Sequence, residues 1–162
     1  MKQWILILAA GLIVMPAICI ANGGTGMLAA DGKAVINYIS VIDSYQNWQL
    51  WPGKGKLYKG QHPHGAFLTT YLNTEAFSAV QSKTGMLPDG AIVVKENYTP
   101  EKKLAAITVM YKKSGYNTEA GDYFWIKYAP DGNILKEGKV AGCINCHTSV
   151  KDNDWLFTGP IK

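Results

Sequence analysis

Three residues late in the chain carry the clearest chemistry of this sequence. Cys143 and Cys146 are separated by two residues, and His147 follows the second thiol directly. This C-x-x-C-H spacing is the attachment signature of c-type haem. Residues three apart lie on one side of a helix, so both sulfurs can form thioethers with the vinyl groups of one porphyrin. His147 is then the predicted proximal iron ligand.

Two other chemistries use a C-x-x-C pair, and both are alternatives here. A thioredoxin-like dithiol lies at a helix N-terminus early in a βαβ unit, whereas this pair follows a series of predicted strands. A zinc site needs further ligands, and His62 and His64 are the candidates to supply them. The histidine directly after the second thiol favours one covalently bound haem c over both alternatives.

An export signal is predicted at the start of the chain. A short positive segment precedes an almost wholly apolar stretch over residues 4–21. Cleavage is predicted after Ala21, with Ala30 as a second candidate site. The predicted periplasmic location agrees with the motif, since c-type haem is attached outside the cytoplasmic membrane. The alternatives are an uncleaved membrane anchor and a lipoprotein formed through Cys19.

The composition indicates a globular and mildly basic protein. Hydrophobic residues make up 48% and charged residues 17% of the chain, and the formal net charge is +4. All 16 basic residues are lysines, which argues against a nucleic-acid partner, because phosphate recognition favours the bidentate arginine side chain. The lysine surface can still attract an acidic redox partner. Any haem propionates must then be held by Lys, Tyr, Trp or backbone donors.

Short periodic segments predict a mixed fold. Asp31 is predicted to cap a helix that runs to about Ile42, and Asn73 or Thr74 to cap a second helix that runs to about Lys83. Strands are predicted over residues 66–72, 91–95, 104–111 and 121–129. We therefore predict an α+β fold, an antiparallel sheet with flanking helices and a C-terminal haem-attachment helix. The predicted segments are a signal peptide (1–21), a lead-in with a helix (22–47) and a haem domain (48–162).

The order of several short motifs is similar to that of a known family. The motifs are Pro63-His64-Gly65 with Tyr71-Leu72-Asn73, Pro88-Asp89-Gly90 with Val94-Lys95-Glu96-Asn97, Val109-Met110-Tyr111-Lys112, Gly121-Asp122-Tyr123-Phe124-Trp125, the haem motif, and Asp154-Trp155-Leu156-Phe157-Thr158. Together they resemble the cytochrome P-460 family, which includes the β-type cytochromes c′. The resemblance covers the chain from about Trp48 onward.

The resemblance implies one haem with a proximal histidine, in an antiparallel sheet protein that forms a homodimer. Some members oxidise hydroxylamine, with a lysine cross-linked to the porphyrin and a distal carboxylate that moves protons. Others have an apolar distal pocket and bind nitric oxide. Residues 66–72, where we expect the cross-linking lysine, contain none, and the distal arginine has no counterpart. Three lysines precede that segment in a predicted loop: Lys54, Lys56 and Lys59. Glu96 is the candidate distal acid, although we favour a surface glutamate at a strand end.

Two functions from different classes follow. An open sixth iron position would bind or redox-process a small nitrogen species, with Phe67, Met110 or the tryptophan-rich residues 48–51 as a distal cap. A six-coordinate electron carrier would use His64 as its second axial ligand, with His62 or Met110 as substitutes. For His64 itself, a turn histidine bonded to the backbone is the expectation we favour. A haem sensor or scaffold is a third option. We predict the first function, and leave open whether hydroxylamine is turned over.

Overall fold

The computed structural model describes residues 27–162, so the predicted signal peptide and Cys19 lie outside the described residues. The described part forms a seven-stranded antiparallel sheet with three α-helices. The strands are β1 (Gln49–Leu50), β2 (Tyr58–Lys59), β3 (Phe67–Leu72), β4 (Ile92–Tyr98), β5 (Leu104–Lys112), β6 (Tyr123–Tyr128) and β7 (Ile134–Gly138). The helices are α1 (Gly32–Asn37), α2 (Thr74–Ser82) and α3 (Ala141–His147). This arrangement confirms the predicted α+β fold with a C-terminal helix.

The strands follow the order β1-β3-β4-β5-β6-β7, and β2 pairs with β3 beside β1. Side chains along a strand alternate between the two faces of a sheet, so this sheet has two separate cores. On β4, Val93 packs in a first core with α2 and the start of α3, whereas Val94 packs in a second core beneath α1. The first core borders the C-x-x-C-H helix.

The N-terminal helix begins as the sequence predicts. The amide of Ala34 donates to Asp31 Oδ1 at 2.8 Å, which is the expected N-cap bond. Regular α-helix ends at Asn37, and a π-helical turn continues it over Tyr38–Ile42. Val35 and Ile39 are fully buried, so this segment covers the second face of the sheet.

The Asn73 side chain joins three elements of the fold. Its Oδ1 accepts from the amide of Ala76 at 3.1 Å, which caps α2, and from the amide of Ile92 at 2.9 Å, which begins β4. Its Nδ2 donates to the Gly90 carbonyl at 3.0 Å. Asn73 therefore caps α2, as the sequence predicts, and it also fixes the helix against the next strand.

The sequence prediction missed three strands. No strand was predicted between residue 129 and the haem motif, but β7 lies there and pairs with β6. Most of β7 is exposed, so it lacks the apolar alternation that identifies a strand. The expected loop over residues 48–60 contains the two-residue strands β1 and β2. Short 3₁₀ turns occur at Tyr45–Asn47, Thr118–Ala120 and Thr148–Asn153. Within residues 27–162, no helix has the length and apolar character to cross a membrane.

Candidate functional site

A cleft lies between the first face of the sheet and the segment that starts at α3. Cys143, Cys146 and His147 all line it, opposite Val93, Met110 and Trp125 of the central strands. It holds about 1030 Å³ of empty space, including its opening to solvent. Ligand and cofactor sites are mostly apolar clefts with a few polar groups, as this one is. A more polar second part of the cleft continues past His64 to the residues around β2.

His147 is held in one tautomer by the backbone. Its Nδ1 lies 2.6 Å from the carbonyl oxygen of Trp155, so Nδ1 carries the proton and donates it. Nε2 therefore has a free lone pair, which is the form in which histidine binds a metal. The ring is buried, with the Trp125 ring centre at 4.7 Å and that of Phe157 at 5.0 Å. Burial also lowers the pKa of His147, which keeps it neutral.

The Trp155 carbonyl reaches His147 because the chain turns through an unusual conformation. Asp154 and Trp155 both have positive φ, at 48° and 64°, which is uncommon for aspartate and rarer for a bulky aromatic residue. The indole of Trp155 packs directly on Gly121, where a Cβ would lie 2.6 Å from the nearest indole carbon. Only glycine fits at that position. The sequence motifs around residues 121 and 155 are thus two sides of one contact.

The Asp154 carboxylate stabilises this turn. It accepts three hydrogen bonds of 2.7 Å, from the Lys112 ammonium, the Tyr123 hydroxyl and the Leu87 amide. Lys112 and Asp154 are both buried, and theirs is the only ion pair among residues 27–162. Buried charges are tolerated when paired and hydrogen-bonded, as here. The network connects β5, β6 and the turn that positions His147.

The thiols are free and differ in exposure. Cys143 is half-buried and Cys146 is exposed. Burial raises the pKa of the Cys143 thiol. The zinc alternative required His62 and His64 to join these thiols around one ion. In residues 27–162, no group of three or more His, Cys, Asp or Glu side chains is placed to hold a metal ion. The arrangement gives the zinc alternative no support.

His64 lies in the cleft and is oriented by a side chain. Asn97 donates through Nδ2 to the carbonyls of Lys95 and Ala106, at 2.9 and 3.1 Å, which fixes its amide orientation. Its Oδ1 therefore accepts from His64 Nδ1 at 2.9 Å, and His64 Nε2 keeps a free lone pair. The prediction that the His64 ring bonds to the backbone is wrong. The backbone amide of His64 donates to the Gln61 carbonyl, whereas the imidazole ring bonds to the Asn97 side chain.

The two cleft histidines are close together. Their ring centres are 6.2 Å apart, and the ring planes are nearly perpendicular. Burial and, next, the charge of Lys95 lower the pKa of His64 to about 4, so it is neutral at physiological pH. Gly65 supports this placement, because it packs on the backbone of Tyr98 where a Cβ would lie 2.7 Å from the carbonyl oxygen. His62, by contrast, is exposed and lines only the second part of the cleft.

Lys95 is a site residue that sequence reasoning missed. The family resemblance directed attention to residues 66–72, which contain no lysine, whereas Lys95 of β4 lines both parts of the cleft. The alternation of β4 is the signal that identifies it, because Lys95 is two residues from Val93 and on the same face. Of the earlier lysines, Lys54 and Lys59 border the second part, while Lys56 lies over the Tyr71 ring.

Glu96 lies on the opposite face of the sheet, so both of its expected roles are wrong. It is only 4% exposed, and its carboxylate accepts hydrogen bonds from three tyrosine hydroxyls. These come from Tyr45 at 3.0 Å, Tyr71 at 3.3 Å and Tyr98 at 2.6 Å. Glu96 is thus neither a surface residue nor a distal acid in this cleft.

The distal cap expected from the sequence is partly wrong. Met110 lines the cleft as predicted. Phe67 is not among the described residues that line the cleft. The Phe67 ring lies beneath the Lys102 ammonium instead. Of the tryptophans in residues 48–51, Trp51 packs in the first core and Trp48 against the second. They anchor the chain and do not cover the cleft.

Glu96→Gln is expected to destabilise the protein by about 1 to 3 kcal/mol, because charge-assisted hydrogen bonds are the stronger ones. Burial is the main cause that raises the pKa values of Tyr45 and Tyr71, and the negative charge of Glu96 is the next. Burial, followed by the hydrogen bond to Glu96, raises the pKa of Tyr98 to about 12. Unfolded tyrosine ionises near pH 10, so the wild-type free energy of unfolding falls as pH rises above about 10. The variant should show a shallower fall.

Urea unfolding at several pH values from about 8 to 11 measures both effects. Glu119→Gln is the control, since Glu119 is exposed. Haem absorption should not change in Glu96→Gln, and a clear spectral change would place Glu96 in the site after all.

The cleft residues fit a haem. Both thiols and a histidine with a free Nε2 line one apolar space, which suits a planar, largely apolar group with a metal at its centre. Cys143, Cys146 and His147 are the residues that could hold the porphyrin and its iron.

The sheet, with a C-x-x-C-H helix over one face, defines an α+β protein of the cytochrome class. The profile of the family described as Cytochrome P460 matches residues 42–158, which is most of the chain. The chain therefore belongs to the cytochrome P460 family, as its motifs predict, and is accordingly a haem c protein. The comparison with curated proteins found no match.

Proposed function

We propose that this chain is an exported cytochrome that carries one haem c through two thioether bonds. Cys143 and Cys146 each add across one vinyl group, so that an S–H and a C=C bond give a C–S and a C–H bond. This addition needs no oxidant or reductant. His147 would hold the iron through Nε2. The Nδ1–H bond to the Trp155 carbonyl supports this role, because it orients the ring and fixes its tautomer.

The function proposed for the site is to bind or redox-process a small nitrogen species, nitric oxide or hydroxylamine. Bound haem supplies one-electron chemistry and a coordination position for such a molecule. The observation that carries the proposal is that two thiols, a metal-ready imidazole and an apolar wall share one cleft. Val93, Met110 and Trp125 restrict water in that cleft, which strengthens the interactions inside it.

Hydroxylamine oxidation also needs a proton acceptor. Glu96 is on the other face of the sheet, so we assign this role to His64. Its neutral ring presents Nε2 as the acceptor while Asn97 holds the opposite nitrogen. A base with a pKa of about 4 is weaker than one that titrates near neutrality, so we expect a contribution at the low end of the usual range, about 100-fold.

A six-coordinate electron carrier is the second candidate, because one distance favours it. Two imidazoles that bind one metal from opposite sides through bonds of about 2 Å have ring centres roughly 6 Å apart. The ring centres of His64 and His147 are 6.2 Å apart, and both rings have a free Nε2. In this candidate His64 would be the second protein ligand of the iron, and the protein would transfer electrons without binding substrate.

Absorption spectra of the reduced haem protein separate the two candidates. We expect a high-spin spectrum that shifts with nitric oxide, and His64→Ala should keep both properties. If wild type oxidises hydroxylamine, His64→Ala should lower kcat by about 100-fold. His62→Ala is the control, because His62 is the exposed neighbour. A low-spin spectrum that becomes high-spin in His64→Ala would establish the carrier. A strongly red-shifted Soret band would indicate a cross-linked haem, with Lys95 as the candidate amine.

The proposal includes a periplasmic homodimer that exchanges electrons with a partner protein. The predicted signal peptide supports export. Val41 and Ile42 of the π-helical turn are 72% and 68% exposed, which is a surface suited to a second subunit. The lysines scattered over the chain suit an acidic redox partner.

A further inference from the structure

A surface depression lies behind the haem motif, on another side of α3 from the cleft. Ile144 and Thr148 line it, and their spacing of four residues puts them on one side of the helix. The two thiols and His147 line the cleft instead. Among residues 27–162, none lines both spaces. The helix therefore separates the cleft from a second surface.

Trp155 connects this depression to the site. It lines the depression, and its backbone carbonyl accepts the Nδ1 hydrogen of His147 at 2.6 Å. The route from the depression to the imidazole thus crosses one residue and one short hydrogen bond. Electrons tunnel more readily through bonded atoms and short hydrogen bonds than through open gaps. The contact therefore provides a path for electrons between His147 and the protein surface.

The backbone at Trp155 is strained, which supports a functional role. Its φ of 64° is uncommon for a residue with a bulky side chain, and Gly121 leaves the room that its indole occupies. Strained residues of this kind cluster at functional sites. Here the strained residue is the one that joins the depression to His147.

The rim of the depression carries more positive than negative charge. Lys139 and Lys151 line it and are exposed, whereas Glu119 is the one acidic residue among the described residues that line it. Lysines around a docking surface attract an acidic partner and speed its association. Redox complexes bury little surface, and tryptophan is enriched at protein interfaces. The depression therefore suits a transient acidic partner.

We propose that this depression is the docking surface for an acidic one-electron carrier protein, with Trp155 as the residue through which electrons pass between the carrier and His147. The inference rests on the proposed haem site, because oxidation of a nitrogen species there releases electrons that a partner must accept. In each transfer the haem protein loses one electron and the metal centre of the carrier gains it. The mouth of the cleft, which Lys54 and Lys59 border, is the competing surface.

The kinetic test uses an acidic blue-copper protein as the probe, whose Cu(II) is reduced to Cu(I) as it oxidises the reduced haem protein. Lys139→Glu combined with Lys151→Glu should slow the second-order reaction by about 10- to 100-fold at low ionic strength, and less in high salt. Glu119→Gln should speed it. Lys33→Glu combined with Lys103→Glu is the matched control, since these exposed lysines do not line the depression and the change in net charge is the same. The control should stay within about threefold of wild type.

Binding is measured separately with the zinc-substituted probe, which accepts no electron. In heteronuclear NMR spectra of the haem protein, the indole N–H signal of Trp155 should shift during titration. The Trp48 signal should not, because Trp48 packs against the second core. Trp155→Leu should slow electron transfer within the saturated complex by about tenfold, and Trp155→Phe should restore most of the rate. Circular dichroism and an unchanged haem spectrum establish that each variant is folded and keeps its iron site.

Equal rates for wild type and the variant with Lys139→Glu and Lys151→Glu would overturn the inference. A loss confined to Lys54→Glu combined with Lys59→Glu would also overturn it, because docking would then occur at the cleft mouth. An unshifted Trp155 signal in the saturated complex would do the same. Protein without haem would contradict the proposed function instead, since no electron would reach the probe.

Discussion

Changing both thiols, Cys143→Ser and Cys146→Ser, is expected to abolish covalent haem attachment. A serine hydroxyl does not add to a vinyl group under the conditions in which a thiol does. His147 would still be able to bind iron, so the native variant can keep some colour. Once unfolded, it should release all of its haem, whereas wild type should retain one haem per chain.

Mass measurement of the denatured chains tests this expectation directly. Each single variant should retain one thioether and be attached less completely. Ser149→Ala is a matched control, because Ser149 is exposed just beyond the helix and bonds only to the Cys146 carbonyl. A wild-type mass equal to that of the bare polypeptide, after production in a host that matures cytochromes, would contradict the attachment.

Asp154→Ala is expected to lower the stability of the protein by about 3 to 5 kcal/mol. The change leaves the buried Lys112 ammonium unpaired and removes the acceptor for Tyr123 and the Leu87 amide. For a domain of this size the melting temperature should fall by roughly 10 to 20 °C. Alanine is also unfavourable at the positive φ of this position, which adds to the loss.

Thermal unfolding of the haem-loaded protein measures the loss. Asp152→Ala is the control, because Asp152 is exposed two residues away. Adding Lys112→Met to Asp154→Ala should recover part of the stability, since no buried charge is then unpaired. A single variant as stable as wild type would show that the carboxylate does not stabilise the turn, and the role assigned to it would be wrong.

The same variant should disturb the iron site indirectly. Asp154 precedes Trp155, whose carbonyl holds His147 Nδ1. A loosened turn would free the imidazole to rotate, and the spectrum of the folded fraction should broaden or shift. We therefore expect both the stability of the protein and the orientation of the His147 ring to depend on one carboxylate.

Local signals in the sequence were sufficient for much of the fold. The caps at Asp31 and Asn73 are formed by side-chain chemistry within three residues, so they could be predicted without tertiary information. The central strands are buried and carry β-branched and aromatic residues. The exposed strand β7 was missed because an edge strand with charged side chains has no apolar period.

The site was harder to predict because its partners come from distant parts of the chain. The C-x-x-C-H motif is contiguous, so its three residues were identifiable. The bond from His64 to Asn97 depends on the pairing of the loop with β4, 33 residues away. The Trp155 carbonyl faces His147 only because two residues adopt positive φ, which their types do not suggest. The clearest error was the prediction of Glu96 as a surface or distal residue, although the alternation of side chains along β4 places it on the face opposite to Lys95.

Adjacent residues of β4 carry opposite charges to opposite sides of the sheet, and this constrains how the strand can pair. Slippage of β4 by one residue against its neighbours would exchange Lys95 and Glu96. A carboxylate would then enter a cleft in which, among the described residues, the charged side chains are all lysines, and an ammonium would be enclosed by tyrosines. Misaligned pairings are therefore penalised electrostatically as well as by lost packing, so the charged pair in the middle of this strand specifies its alignment during folding.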